Sequence, residues 1–270
     1  MLTVFAVPKP FTAPFDLIQE QAIASWVALG ARVILIGDEE GIDAAAARHD
    51  ATHIATIERN DYGTPRLDSA FSAARQASDD PVLCFANCDI ILPHALAAAV
   101  AHLSSAHTNF LLVGRCVDVD PANATQPDAA GAGPVRGHDF LDWFVFSRDL
   151  FRDLPPFVLG RAGFDNWLVW HARQAGAAVI DASDAFLAIH QRHAHSHLVG
   201  GTTWAYSGPE AQANIALAGG RRHLFTMLDA THRLTTDGMI VARRGATFRL
   251  SHRFHQARLF AGRAKARLGA

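Results

Sequence analysis

The sequence predicts an α/β fold in which a mostly parallel central sheet is flanked by helices on both faces. Short apolar runs, such as residues 82–86, alternate with longer segments of helical apolar spacing, such as residues 15–29. This alternation is typical of parallel sheets with crossover helices. Half of the 270 residues are hydrophobic, so the chain can bury one large core.

Strands and helices alternate through the first half of the chain. Gly30 ends the first predicted helix, and Pro93 suits the first turn of another, where its missing N–H needs no partner. The apolar runs predict strands at residues 2–7, 32–36, 53–57, 82–86 and 110–113. The helical spacing predicts helices at residues 15–29, 42–48, 67–77 and 93–103.

The pattern changes after Arg115. Residues 118–138 are rich in Asp, Ala, Gly and Pro and are predicted to form a long loop, and such loops are usually functional or mobile. Further strands are predicted at residues 142–146, 177–180 and 185–189, with a helix at 164–174. Beyond residue 200 the chain is predicted to be helical and increasingly basic. We therefore expect one domain over residues 1–205 and a helical, basic extension over residues 206–270 that packs on or beside it.

Composition and charge narrow the class of protein. The cysteines, Cys84, Cys88 and Cys116, are odd in number and lie in or beside apolar strands, which indicates buried thiols rather than a disulfide framework. No signal peptide is visible and no apolar run approaches the ~20 residues of a membrane span, so we expect a cytoplasmic protein. The formal net charge of -2 argues against nucleic acid as a partner.

The basic extension has two interpretations. From Arg221 onward, eleven Lys or Arg stand against two Asp. The first interpretation is a solvated helix with Arg on its wet face. The second is attraction to a phosphorylated acceptor, or peripheral contact with anionic lipid on the inner face of a membrane.

The clearest sign of function is the end of the predicted strand 82–86, which is followed by Asn87-Cys88-Asp89. A carboxylate at the mouth of a buried strand must be solvated, paired or metal-bound, and open α/β sheets bind ligands at that edge. The first strand is followed by Pro8-Lys9-Pro10 rather than by a glycine-rich turn, and no GxxxxGK[ST] run occurs. A divalent cation held by carboxylates is the obvious alternative for neutralising a diphosphate.

The order of several motifs over roughly residues 1–200 resembles that of the GT-A fold glycosyltransferases, the nucleotide-diphospho-sugar transferase superfamily. The motifs are strand one, the acidic turn Asp38-Glu39, Asn60-Asp61-Tyr62-Gly63-Thr64-Pro65 before a helix, Asn87-Cys88-Asp89, residues 160–167 and a His-rich turn. In that family a D-x-D motif at the end of the central strand binds Mn²⁺ or Mg²⁺ together with the donor diphosphate. Here Asn87 occupies the position of the first Asp, and Asp89 retains the position nearest the metal.

The resemblance also assigns roles to individual residues. It implies a metal site of Asp89, His190 and His193, with His190 preferred, and Asp165 as the base that deprotonates the acceptor hydroxyl. Residues expected to bind the donor are Lys9, Asp38, Thr64, Arg66, Asn87 and Arg115. Each has a structural alternative: a helix cap or helix start, a turn residue, a solvated lysine, an ion pair or a solvent-facing histidine. We expect His195 and His197 either to face solvent or simply to pack in the fold, without binding a metal.

The resulting prediction is a hexosyltransferase-like enzyme that moves a sugar from a nucleoside diphosphate donor to the hydroxyl of a glycan or lipid-linked acceptor, assisted by Mn²⁺ or Mg²⁺, with inversion. One alternative is a nucleotide-sugar-binding protein without catalysis, which Asn87 motivates. Another is a nucleotidyltransferase on a similar fold, which Pro8-Lys9-Pro10 fits poorly. A zinc hydrolase built on residues 190–197 is a third, and the histidine spacing does not match HExxH.

Overall fold

Strands and helices alternate along most of the computed structural model, which describes residues 1–193 and 201–243. The strands are β1 (Leu2–Ala6), β2 (Arg32–Ile36), β3 (Thr52–Ile54), β4 (Val82–Ala86), β5 (Ile90–Ile91), β6 (Phe110–Val113), β7 (Cys116–Val119), β8 (Trp143–Ser147), β9 (Ala178–Asp181), β10 (Ala188–Gln191), β11 (His232–Leu234) and β12 (Ile240–Ala242). The helices are α1 (Phe15–Ala28), α2 (Ile42–Arg48), α3 (Leu67–Ala77), α4 (Ala95–Ala106), α5 (Phe164–Gln174), α6 (Gly201–Ser207) and α7 (Pro209–Leu217).

The central sheet is mostly parallel, as predicted. Within the described residues its strand order is β12-β11-β9-β6-β8-β4-β1-β2-β3. β1 pairs in parallel with both β2 and β4, whereas β8 runs antiparallel between β4 and β6. Because β8 is reversed, its first residue, Trp143, lies opposite Ala86, the last residue of β4. The start of β8 therefore reaches the same edge of the sheet as the end of β4.

Helices cover both faces of the sheet, which confirms the predicted fold class. Val4 and Ala6 belong to one buried cluster with side chains of α1, α2 and α4, including Trp26 and Leu96. Phe5, which points to the opposite face, belongs to a second cluster with α3 and α5. Removing these apolar side chains from water on both faces supplies the main stabilisation of the fold.

A small second sheet stands beside the main one, with the order β5-β10-β7 among the described residues. Asp118 was predicted to begin a loop, but it lies in β7 and pairs in register with His190 of β10. His190 itself lies within a strand, not after one as expected. A Cβ at Gly133 would stand only 1.9 Å from the carbonyl oxygen of Asp118, so glycine permits the returning chain to approach β7.

The C-terminal region is only partly helical. Helices α6 and α7 match the expectation, but β11 and β12 form an antiparallel hairpin that extends the central sheet through β9. Gly238, with φ of 81°, lies in the turn of the hairpin. The edge of β9 offers backbone hydrogen-bond partners that β11 uses and that a helix in its place would not. Residues 244–270, which hold much of the basic tail, and His195 and His197 lie outside the described residues. The proposed division between residues 205 and 206 stays a prediction.

Candidate active site

Three chain segments meet at the carboxyl edge of β1 and β4. Residues 7–9 follow β1, residues 87–89 follow β4, and Asp142 precedes the antiparallel β8. The backbone N–H of Asn87 donates to the carbonyl of Asp142 (3.0 Å), and the Asn87 side-chain amide lies 3.3 Å from the Asp142 carboxylate. This edge therefore carries a carboxylate, Asp142, that the sequence analysis did not identify, because the direction of β8 was not predicted.

Asp89, His190 and His193 form a compact group of side chains that can bind a metal. One potential ligand atom from each lies within 4.8 Å of the other two. His193 Nε2 is 2.9 Å from Asp89 Oδ2, and His190 Nε2 is 3.7 Å from the same oxygen. The antiparallel pairing of β5 with β10 brings them together, since His190 pairs with Ile90. Residues about a hundred positions apart thus converge through strand register.

The state of Asp89 fits a bound cation. Burial raises the pKa of Asp89, but the hydrogen bond from His193 and the nearby charges of His190 and Lys9 outweigh burial and hold that pKa well below its ordinary value. Asp89 Oδ1 is buried and has no hydrogen-bond partner among residues 1–193 and 201–243. A buried, ionised and half-satisfied carboxylate beside two imidazoles is a donor set suited to a divalent cation.

A cavity of about 600 Å³ opens beside this group. A volume of this size is within the range of small-molecule sites. Seven residues of the sequence-predicted site line it, namely Lys9, Thr64, Asn87, Asp89, Asp165, His190 and His193. The structure therefore gathers most of the predicted site around one cavity.

Three other predicted residues are not part of the cavity lining. Asp38 is exposed and pairs with Arg59, and Arg66 pairs with Glu58 (2.6 Å) and Asp68 (2.5 Å). The Arg115 guanidinium donates to the backbone carbonyl of Arg136 (2.7 Å), so it fastens the segment after β7. The cavity is instead lined by the guanidinium residues Arg59, Arg136 and Arg161, which the sequence analysis did not single out.

Asp165 lies in the first turn of α5, after Gly163, whose φ of 115° favours glycine. Its Oδ1 accepts from the backbone N–H of Asn166 (2.9 Å) and of Gly163 (3.3 Å). Burial raises the pKa of Asp165 to about 6, although these backbone hydrogen bonds oppose the rise. A carboxylate with this pKa is ionised at neutral pH and still basic enough to take a proton.

Lys9 reaches the cavity from the end of β1. Its backbone N–H and C=O both bond to the side-chain amide of buried Gln19, at 2.7 and 2.9 Å, and its ammonium lies 4.2 Å from the centre of the Phe15 ring. Burial lowers the pKa of Lys9, and the negative charge of Asp89 partly offsets that lowering. Lys9 is therefore a largely buried lysine, positioned by Gln19 and Phe15 close to Asp89, rather than a solvated surface residue.

Three residues that were not predicted form a network next to Asp89, His190 and His193, the group referred to below as the metal group. Asp118 Oδ1 is 2.7 Å from His190 Nδ1, and Arg136 Nε is 3.6 Å from the same oxygen. Arg136 also donates to Asp142 Oδ2 at 2.7 Å. For Asp118, the sequence did contain a signal: the alternation Cys-Val-Asp-Val over residues 116–119 is a strand pattern with one polar side chain.

The far wall of the cavity is held by Glu210 of α7. Its buried carboxylate accepts from Asn60 Nδ2 and from Arg161 Nε, each at 2.8 Å. These contacts tie α7 to the segment before α3 and to the segment before α5. Ala205 and Tyr206 of α6 complete this wall.

No helix formed by the described residues is long and apolar enough to cross a bilayer.

Comparison with known proteins establishes the fold. No protein-family model and no curated protein matches the sequence. Among solved structures, glucosyl-3-phosphoglycerate synthase from Mycobacterium tuberculosis in complex with phosphoglyceric acid is 16% identical with a TM-score of 0.50, and the match covers 81% of this chain and 78% of that one. At this identity the likeness shows the fold alone: the chain has the GT-A fold of glycosyltransferases.

Two further structures match over a smaller share of their own length. Mannosyltransferase PcManGT from Pyrobaculum calidifontis, in complex with GDP-Man and Mn²⁺, is 17% identical with a TM-score of 0.47 over 84% of this chain and 62% of that one. S. aureus TarS 1-349 is 12% identical with a TM-score of 0.47 over 71% and 60%. The matched region therefore spans about three fifths of each of these two solved chains.

Proposed function

We propose that this protein is a glycosyltransferase that moves a sugar from a nucleoside diphosphate donor to an acceptor hydroxyl with the help of a divalent cation. The observation that carries the proposal is the convergence of Asp89, His190 and His193 within 4.8 Å, on a cavity that also contains Asp165. The GT-A fold supports the same class of reaction.

Asp89, with His190 and His193, would hold Mn²⁺ or Mg²⁺. The cation supplies positive charge that offsets the negative charge developing on the departing diphosphate. Lys9 adds a second positive charge at the same edge, and Thr64 and Asn87 offer polar groups to the donor from the cavity wall. Asp38, Arg66 and Arg115 lie outside that wall, so we assign them no direct contact with the donor.

Asp165 is the proposed base. The acceptor oxygen attacks the anomeric carbon while the bond from that carbon to the diphosphate oxygen breaks, and the electron pair of that bond leaves with the nucleoside diphosphate. The hydroxyl proton passes to the Asp165 carboxylate. Attack from the face opposite the leaving group inverts the anomeric centre. Transfer is expected in the cytoplasm, which agrees with three cysteines that are all free thiols.

A thermal-shift series tests the proposal. The purified protein is heated with UDP, GDP, ADP or CDP, each with and without Mn²⁺. A nucleotide at about 100 times its Kd stabilises the folded state by about 2.7 kcal/mol, so at least one should raise Tm, and only with Mn²⁺. The sugar conjugates of that nucleotide are then assayed for hydrolysis and transfer.

Two variants make the test specific. Asp89→Asn should abolish the Mn²⁺-dependent shift, whereas Asp120→Asn should keep it, because Asp120 is an exposed residue that caps a short turn and Asn caps equally well. No nucleotide-dependent shift, or an undiminished shift in Asp89→Asn, would contradict the proposal. Donor binding without turnover for every acceptor would favour the nucleotide-sugar-binding alternative that Asn87 motivates.

A further inference from the structure

Asp118 stands directly behind one member of the metal group. It pairs with His190 in the register of β7 and β10, and its Oδ1 lies 2.7 Å from His190 Nδ1. Asp118 is absent from the group of potential ligands, and the resemblance assigned it no role. Its position is therefore one step removed from the metal site.

The backbone of Asp118 is fixed on both sides. Its N–H donates to the carbonyl of Pro134 (3.0 Å), and Gly133 passes so close to its carbonyl oxygen that no side chain fits there. Arg136 Nε lies 3.6 Å from the carboxylate oxygen that faces His190. The carboxylate is thus held in place by its strand, by the returning loop and by a neighbouring positive charge.

The contact determines which ring nitrogen of His190 is available. A carboxylate accepts hydrogen bonds and does not donate them, so His190 Nδ1 carries the proton. In the neutral ring the lone pair then resides on Nε2, the nitrogen that faces Asp89 Oδ2 at 3.7 Å. His193 differs, because its Nε2 is the atom that already bonds to Asp89, at 2.9 Å.

We propose that Asp118 is a positioning residue that holds His190 in the tautomer and orientation required to bind a divalent cation through Nε2. The inference depends on the proposed function only in requiring that the site binds a cation. Outer partners of this kind, in which a carboxylate accepts from a metal-binding histidine, typically change metal affinity about 10- to 100-fold when removed. Asp118 would thus serve the site as a second carboxylate, which contacts His190 and is not one of the potential ligands.

Mn²⁺ binding measured directly tests the proposal. The electron paramagnetic resonance signal of free Mn²⁺ gives the Kd for the wild type, Asp118→Ala, Asp118→Asn and the control Asp120→Asn. Asp118→Ala should raise the Kd about 10- to 100-fold. Asp118→Asn should raise it less, because the amide oxygen still accepts but is uncharged. The control should stay within about twofold of the wild type, because its side chain caps an exposed turn two residues away.

A spectroscopic readout separates positioning from a loss of folding. In the metal-free protein labelled with ¹⁵N-histidine, His190 should be protonated at Nδ1, and this preference should be lost in Asp118→Ala while the other histidine signals keep their positions. An Nε2-protonated His190 in the wild type would overturn the inference. General loss of the histidine spectrum in Asp118→Ala would shift the decision to Asp118→Asn, where an unchanged Mn²⁺ Kd would also overturn it.

Two reference variants distinguish failure of this inference from failure of the proposed function. If Asp89→Asn and His190→Ala lose Mn²⁺ binding while both Asp118 variants bind like the wild type, only the role of Asp118 is overturned. If the wild type does not bind Mn²⁺, or if Asp89→Asn binds it normally, the cation site itself is overturned and the role of Asp118 with it.

Discussion

The two halves of the cavity are built in opposite ways. The half around Asp89 is assembled by strand register from residues far apart in sequence, and its charges support each other through His190, Asp118 and Arg136. The half around Asp165 is a single carboxylate at a helix start, bonded to its own local backbone. The first half is a network of interacting charges. In the second half, burial and backbone hydrogen bonds are the largest influences on the pKa of Asp165.

This difference appears in the two pKa values. Neighbouring positive groups hold the pKa of Asp89 well below its ordinary value even though burial opposes them. Burial raises the pKa of Asp165 to about 6, and no positively charged group is among the main influences on that pKa. The halves should therefore respond differently to substitution and to pH, and the following predictions test that separation from the largest expected effect to the smallest.

Asp89→Ala should cause the largest loss. Removing the carboxylate takes away the proposed anchor of the cation, whose stabilisation of developing charge amounts to several kcal/mol, so the transfer rate should fall about 1,000-fold or more. The measurement is kcat/KM for the donor identified by thermal shift, at saturating Mn²⁺. Asp120→Asn serves as the control. Activity within tenfold of the wild type would remove Asp89 from the mechanism.

Asp165→Asn should reduce the rate by about 100- to 1,000-fold, the lower part of the range that a positioned general base contributes. Mn²⁺ affinity and donor binding should be unchanged, because Asp165 is not among the residues that approach the metal group. Single-turnover kinetics beside a Mn²⁺ titration checks both points. A parallel loss of metal binding would show that the two halves are not separable.

Asp165→Asn should also stabilise the protein above pH 6. The folded-state pKa of about 6 exceeds the ordinary value of 3.8, so protonation favours the folded state, and this contribution is lost as pH rises from about 4 to 6. The variant removes the penalty, which is at most about 3 kcal/mol. In urea unfolding, the free energy of unfolding of the variant should rise relative to that of the wild type between about pH 4 and pH 6. Above about pH 6 the difference should stay constant. A constant difference from pH 4 to pH 8 would contradict the raised pKa.

The rate itself should fall below pH 6. The proposed base works only when ionised, so kcat/KM should drop about tenfold for each pH unit below a pKa of about 6. Asp89 titrates far lower and should not contribute to this limb. A pH-rate profile in Mn²⁺ records it, with the Mn²⁺ Kd measured at each pH as the control. A flat profile between pH 5 and pH 8 would argue against Asp165 as the base.

Glu210→Gln should have the smallest effect on chemistry. Arg161 would lose its ionised partner in a largely buried pair, which costs about 3 kcal/mol of stability, while the wall formed by α6 and α7 loosens. We expect KM to rise a few-fold with kcat nearly unchanged. The control variant is Glu40→Gln, at an exposed position. A large fall in kcat with constant KM would place Glu210 in the reaction rather than in the wall.

The sequence predicted the parts of this site that depend on local pattern. Asp89 was identified because an apolar strand that runs into an acidic residue is visible within a few positions. Asp165 and the His-rich turn were identified through the order of motifs that resembles GT-A enzymes. The central sheet and its helices followed from apolar periodicity, which reports burial directly.

The remaining residues depend on pairings that a single sequence does not contain. Asp118 was assigned to a loop because the short β7 is defined by its pairing with β10, whose residue His190 stands opposite Asp118 and lies far along the chain. Asp142 was missed because apolar periodicity is the same in a parallel and an antiparallel strand. The hairpin after residue 231 was not predicted for a similar reason, because its strand β11 depends on pairing with the distant β9.

Calorimetric titration of the nucleoside diphosphate identified by thermal shift, into the wild type with and without Mn²⁺, tests the central claim most directly. The account predicts binding that requires Mn²⁺ in the wild type and is lost in Asp89→Asn. Equal affinity in the presence of Mn²⁺ and of EDTA, or affinity that survives Asp89→Asn, would contradict it.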